Sequence, residues 1–109
     1  MAKDDFHIVA YRILAYLYNC LKHGETPDEA PVGPKLLGIT AQYWTDVLRM
    51  LSDEGFITGA RFNVANTLIP GTFGYLRITR TGIEFMNDNK SMRRALKWLK
   101  DLKDTIPGI

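Results

Sequence analysis

From residue 4 to residue 23 the apolar side chains recur at helical spacing, and they do so twice. Phe6, Val9, Ile13, Leu17 and Cys20 form one stripe; Ile8, Tyr11, Ala15 and Tyr18 form another. Asp4 or Asp5 is placed to start this helix, and Gly24 to end it. A surface helix normally carries one apolar stripe, so two stripes predict packing on more than one side. Either another helix of this chain covers the second stripe, or a partner subunit does. Residues 25–34 then hold three prolines, a glycine and three acids, which predicts a loop. Within it, Val32 is a candidate to add one short strand pairing to the hairpin that follows. Pro34 suits a helix's first position, so Lys35, Leu36 and Leu37 predict a very short second helix ended by Gly38. Thr40 is the expected N-cap of a third helix reaching residue 54, whose Trp44, Val47, Leu48 and Leu51 lie at offsets of three, four and seven.

Gly55 reads as the glycine just beyond that helix. The pattern then changes to strand: Phe56-Ile57-Thr58, a turn at Pro70-Gly71, and a returning strand at Tyr75-Leu76-Arg77-Ile78-Thr79. The period is broken near Gly59, which predicts an irregularity in the hairpin. Between the strands, residues 61–72 are unusually apolar for a loop, with Phe62, Val64, Leu68, Ile69 and Pro70. These side chains either fold back on the core or form a contact surface. Thr79 can cap a fourth helix over residues 80–87, burying Ile83, Phe85 or Met86. A fifth helix starts near Asn89 and carries Met92, Ala95, Leu96, Leu99, Leu102 and Ile106 on one stripe, before Pro107-Gly108. This order predicts an α+β fold: a winged helix-turn-helix with a small antiparallel sheet and an extra C-terminal helix packed on the first helix. Its parts are a first helix at 4–23, a helix-turn-helix at 33–54, a wing hairpin at 56–79 and C-terminal helices at 80–105, all in one domain spanning 1–109.

Length and composition agree with one domain: 109 residues, 46% of them hydrophobic. No run approaches the ~20 apolar residues of a membrane-spanning helix, and the first residues lack an apolar signal core. A single cysteine cannot form an internal disulfide, which fits a reducing cytoplasm. Net charge is only +2, but it is unevenly spread. Residues 25–55 hold two cations and six acids, residues 56–80 hold three arginines and no acid, and residues 81–109 hold six cations and four acids. The turn-helix region is therefore acidic, and the positive charge sits in the hairpin and the last helix.

Three constellations bear on binding. In a helix-turn-helix the second helix enters the major groove, so Gln42 is placed to read adenine, Arg49 guanine, and Thr45 a phosphate or a thymine methyl. Asp46, Asp53 and Glu54 surround Arg49, and an acidic surface repels a phosphate backbone, so a plain solvated face is the competing reading. Arg61, Arg77 and Arg80 form a stretch that can hold phosphates in fork geometry, against the plainer reading of an ordinary basic surface. Arg93, Arg94, Lys97 and Lys100 give the last helix a positive face beside Trp98, able to meet phosphates or an acidic partner. Trp98, with Tyr11 and Tyr18 on the second stripe of the first helix, is a candidate partner or dimer contact. Catalysis is not expected. Cys20 and His23 sit three apart on one helix but lack a second ligand pair, so no metal is expected. The two serines have no neighbouring histidine, and Gly71-Thr72-Phe73-Gly74 lacks the lysine of a phosphate loop. No cofactor is implied.

Several segments together resemble the YjcQ family, small bacterial and phage-associated winged-helix proteins. They are Gly38-Ile39-Thr40 with Tyr43-Trp44, Glu54-Gly55-Phe56-Ile57-Thr58-Gly59, and Ile78-Thr79-Arg80-Thr81-Gly82-Ile83-Glu84-Phe85. Ser91-Met92-Arg93-Arg94-Ala95, Leu99-Lys100 and Ile106-Pro107-Gly108 complete the resemblance, which covers nearly the whole chain. It implies a winged helix with an added C-terminal helix, and carries over no catalytic residue and no ligand. The function expected from it is binding of double-stranded DNA by a non-enzymatic transcription regulator of phage or mobile-element type. A homodimer is expected because a single module of this size offers a small DNA interface that a dimer doubles. The alternative is a winged-helix protein-interaction module reached through its apolar wing.

Overall fold

The computed structural model describes residues 2–102. Helix α1 (Phe6–His23) starts where the Asp5 carboxylate accepts from the His7 amide at 3.0 Å, and stops at Gly24, which adopts a left-handed φ of 65°. It is the hub of the molecule. Ten of its eighteen residues are buried, because α3 (Ala41–Asp53), α4 (Arg80–Asp88), α5 (Lys90–Asp101) and the sheet all pack on it. Both apolar stripes are thus covered within one chain, and the last helix does lie along the first. Two turns of the chain precede α3: a 3-10 turn at Ala30–Val32 and α2 (Pro34–Leu37).

Val32 does not join the sheet. Pro31, with its fixed φ and missing N–H, sits inside the 3-10 turn, a conformation that cannot extend into a ladder. The Val32 carbonyl instead accepts from the Trp44 indole N–H at 2.8 Å, and its side chain is buried. Trp44 is buried as well and stacks on Phe73 with ring centroids 6.0 Å apart.

Thr40 caps α3 by accepting from the Tyr43 amide at 3.1 Å. The helix ends in a Schellman arrangement: Gly55 takes φ 77°, and the Phe56 amide reaches back to the Leu51 carbonyl at 2.9 Å. The sheet that follows has two strands, β1 (Ile57–Thr58) and β2 (Arg77–Ile78), antiparallel with Ile57 opposite Ile78 and Thr58 opposite Arg77. It is shorter than the sequence pattern predicts. At Gly59, with φ 83°, a Cβ would lie 2.0 Å from the Tyr75 carbonyl oxygen, so the two chains approach closer than any side chain allows. Tyr75, expected to open the returning strand, instead ends a 3-10 turn over Phe73–Tyr75, and the strand begins at Arg77. Further out the wing is held by a single bridge between Phe62 and Leu68.

The strand-to-helix junction is stitched to the end of α3. Thr79 donates its hydroxyl to the Gly55 carbonyl at 2.6 Å and accepts from the Gly82 amide at 3.0 Å, while its own amide donates to Phe56 at 3.0 Å. A Cβ at Gly82 would come within 2.2 Å of the Phe56 carbonyl oxygen, so the α4 backbone rests directly on the chain leaving α3. Phe56 and Phe85 stack at 4.2 Å beside this contact. Asn89 closes α4 and caps α5, accepting from the Met92 amide at 3.1 Å. The predicted continuation of the last helix to residue 105, with Ile106 and Pro107-Gly108, lies outside the described residues. No described helix is long and apolar enough to cross a membrane.

Candidate nucleic-acid interface

In α3, the helix that a helix-turn-helix would offer to a groove, the three expected base readers have different fates. Gln42 is exposed, but its amide donates to the Asp46 carboxylate at 3.0 Å, one helical turn away. Thr45, expected on the outer face, is only 3% exposed. Arg49 is half-buried; its Nε donates to Asn66 Oδ1 at 2.8 Å, its Nη2 reaches the same oxygen, and its guanidinium lies 4.2 Å over the Phe62 ring. Thr45 and Arg49 are one turn apart on the same flank, the one to which the wing is tied, so this flank is covered rather than free. Arg49 is therefore a strut between helix and wing. What α3 presents outward is Ala41, Gln42, Met50, Asp53 and the following Glu54, an acidic surface.

Asn66 was not singled out by the sequence pattern. It is the one described non-glycine residue with positive φ, at 60°, a conformation that asparagine tolerates better than most residues. Asn63, three residues earlier, organises the same tip by accepting from the Ala65 and Thr67 amides, both at 3.0 Å. The wing's apolar side chains divide. Phe62 and Leu68 pack against the core, whereas Val64, Ile69 and Pro70 are exposed.

The hairpin arginines are all exposed but do not converge. Arg61 lies over the Tyr75 ring, 4.4 Å from its centroid. Arg77 donates to the carbonyls of Gly74 and Leu76, each at 2.8 Å, and borders a small hollow with Glu25 beside the end of α1. Arg80 points along α4 to Glu84 at 3.1 Å. An exposed i,i+4 pair of this kind stabilises little, so it orients Arg80 without neutralising it strongly.

The last helix differs. Lys90, Arg93, Arg94, Lys97 and Lys100 are all exposed and border one open hollow of about 640 Å³, together with Met86, Asn87 and Leu96. At 100° per residue these five cations fall within an arc of about 120°, opposite the buried Met92, Ala95 and Leu99. Asp101 is the acid on this rim, and none of the five cations forms an ion pair with a described residue. From Lys90 to Lys100 the face runs about 15 Å at 1.5 Å per residue. A duplex presents about nine phosphates over that length.

The aromatic residues expected as partner contacts are mostly spent on the core. Tyr11 is 5% exposed, and its burial raises the phenol's pKa above 10.0. Tyr18 is half-buried with the Lys22 ammonium 4.6 Å over its ring, and Trp98 is half-buried against the core. Their position follows from α1 being enclosed on several sides, which leaves no open second stripe. Tyr16 and Tyr43 also have raised pKa values, chiefly from burial. The Tyr16 hydroxyl accepts from the Asp28 amide at 2.8 Å, and the Tyr43 hydroxyl donates to the Asp4 carbonyl at 2.6 Å. Cys20 is buried, and His23 Nδ1 sits 2.8 Å from the Asn19 carbonyl oxygen. Among the described residues no three metal-ligating side chains gather.

No curated protein and no solved structure matches this chain. The family model described as YjcQ protein matches residues 11–105, from the first turns of α1 to beyond α5. The match takes in the acidic α3, the tethered wing and the cationic α5 alike, and the chain belongs to the YjcQ family.

Proposed function

We propose that this chain is a non-enzymatic winged-helix DNA-binding protein, a small cytoplasmic regulator of phage or mobile-element type, that holds a duplex by its phosphates through α5. The observation that carries this reading is the row of five exposed cations on one arc of α5 without a described acid partner. Phosphate neutralisation supplies nearly all sequence-independent affinity, and this is the surface of the molecule suited to it. Arg61 and Arg80 are secondary phosphate contacts in this reading. Base reading by α3 is not part of it, because Thr45 is buried, Arg49 is bound to the wing, and the remaining outer face is acidic.

The test is fluorescence anisotropy of a duplex of about 30 base pairs, titrated at about 50 and 200 mM salt. With five phosphate contacts the logarithmic salt slope is about −4.5, so affinity falls roughly 500-fold across that range. An affinity that ignores salt, or no binding at about 50 µM protein in low salt, rejects the reading. A protein-interaction module is the second reading, favoured by the exposed Val64, Ile69 and Pro70 at the wing tip.

A further inference from the structure

Helix α4 separates two hollows of opposite character. On one side Phe85 meets Phe6, Met50 and Phe56 around a hollow of about 410 Å³, rimmed by the acids Asp53 and Glu54. On the other side Met86 and Asn87 border the cationic hollow of α5. Phe85 and Met86 are consecutive and point about 100° apart, so the two hollows open on neighbouring faces with α4 as the ridge between them. Asp53 and Glu54 are exposed and form no ion pair with a described residue. Met50, beside them, is 43% exposed. The chain therefore carries an acidic, aromatic-floored hollow and a cationic one side by side, and the intervening ridge keeps each from reaching the other.

We propose that a second copy of this chain docks on this face, related by a two-fold axis near α4, with the acidic hollow of each copy against α5 of the other. The argument is charge complementarity between two surfaces present on the same chain. A two-fold arrangement forms every such contact twice, and it closes, so that a dimer results and not a filament. The chemistry of the contact is suited to long cations. Their methylene stems lie on Phe6, Phe85 and Met50 while the charged heads reach Asp53 and Glu54. Arginine in particular stacks on aromatic faces of this kind. Contacts of exposed charges are screened over about 10 Å at 0.1 M salt, so the dimer is salt-sensitive. Under the DNA reading above, the same five cations serve phosphates, and self-association and duplex binding exclude one another. That consequence rests on the DNA reading; the dimer does not.

Sedimentation velocity of the full chain tests it, at about 200 µM protein in about 20 mM salt and again in about 500 mM. The expected result is a species of twice the 12.4 kDa chain mass in low salt that reverts to one chain in high salt. The pair Asp53→Lys, Glu54→Lys is expected to be monomeric, and so is the pair Arg93→Glu, Arg94→Glu. All four positions are exposed, so both variants keep the fold, checked by circular dichroism. Mixed in equal amounts, the two variants are expected to associate with each other, since the lysines placed at 53 and 54 of one meet the glutamates placed at 93 and 94 of the other, while the unaltered α5 of the first meets the unaltered Asp53 and Glu54 of the second. A monomeric wild type in low salt overturns the proposal, as does a dimer indifferent to both reversals or a mixture that stays apart. The series contains no nucleic acid, so its outcome stands whichever way a duplex titration falls.

Discussion

Helices α3 and α5 are built alike and face solvent differently. Each buries one apolar stripe, and each starts at a side-chain cap, Thr40 for α3 and Asn89 for α5. On α3 two of the polar groups expected to read bases are tied within the molecule, Gln42 to Asp46 and Arg49 to the wing, and the exposed Asp53 leaves the outer face acidic. On α5 five cations face outward around one acid, Asp101, and none of them forms an ion pair with a described residue. The helix that occupies the recognition position of a helix-turn-helix thus presents an acidic outer face here, and the added helix carries the positive charge. Topology places a helix where a groove-reader would be. Whether it binds is decided by which of its side chains the rest of the chain has already engaged.

Removing the inner face of α3 has the largest expected effect. Trp44→Ala deletes an indole that is buried, stacked on Phe73 and hydrogen-bonded to Val32, at a cost of about 3–5 kcal/mol. Thermal unfolding checks it; a shift of only a degree or two would mean that this helix is not the scaffold. Next comes the outer face of α5. The triple change Arg93→Ala, Arg94→Ala, Lys97→Ala is expected to weaken duplex binding on the order of a hundredfold at about 100 mM salt and to flatten the salt slope by about 3, with stability nearly unchanged. Gln42→Ala in the same anisotropy titration is expected to change affinity less than about twofold, and a larger loss would return base reading to α3.

Arg49→Ala separates a strut from a reader. It releases the wing at Asn66 and Phe62, and the expected loss of stability is about 1–2 kcal/mol. Hydrogen exchange is expected to speed up at residues 62–68, with duplex affinity nearly unchanged. A selective loss of affinity without faster exchange would restore Arg49 as a base contact. The smallest effect is one of pH. Tyr11, Tyr16 and Tyr43 all have folded pKa values raised above 10.0. A raised folded pKa contributes stability that is fully present below pH 10.0 and is lost as pH rises through the folded values. Chemical denaturation at pH 8 and near pH 11 is expected to show a lower midpoint at the higher pH.

Much of the fold was legible because its boundaries are local chemistry. Asp5, Thr40 and Thr79 accept from amides two or three residues onward, and Gly24, Gly38 and Gly55 take the left-handed conformation that ends a helix. The misjudged places depend on distant chain. Val32 read as a candidate strand pairing, but Pro31 holds it in a 3-10 turn and its carbonyl accepts from the distant Trp44. The returning strand read as five residues because the close approach of Tyr75 to Gly59 leaves no local mark beyond a glycine. Thr45 read as outward because a four-residue stripe defines only the centre of a buried arc. The edge of that arc depends on what packs beside it: Thr45 is buried, and Arg49, one turn on, is bound to Asn66 of the wing.

By itself the sequence determined the order of helices and hairpin, the caps that bound them, and the alternation of acidic and basic segments. All three follow from hydrogen bonds, periodicity and charge that act within a few residues. Only the tertiary structure decided which of those polar groups remain free. Burial and pairing depend on what folds against a side chain, and for Arg49 and Tyr11 that neighbour comes from elsewhere in the chain. The α5 cations form no ion pair with a described residue and stay exposed, since the face of the helix opposite them is the one that packs on α1.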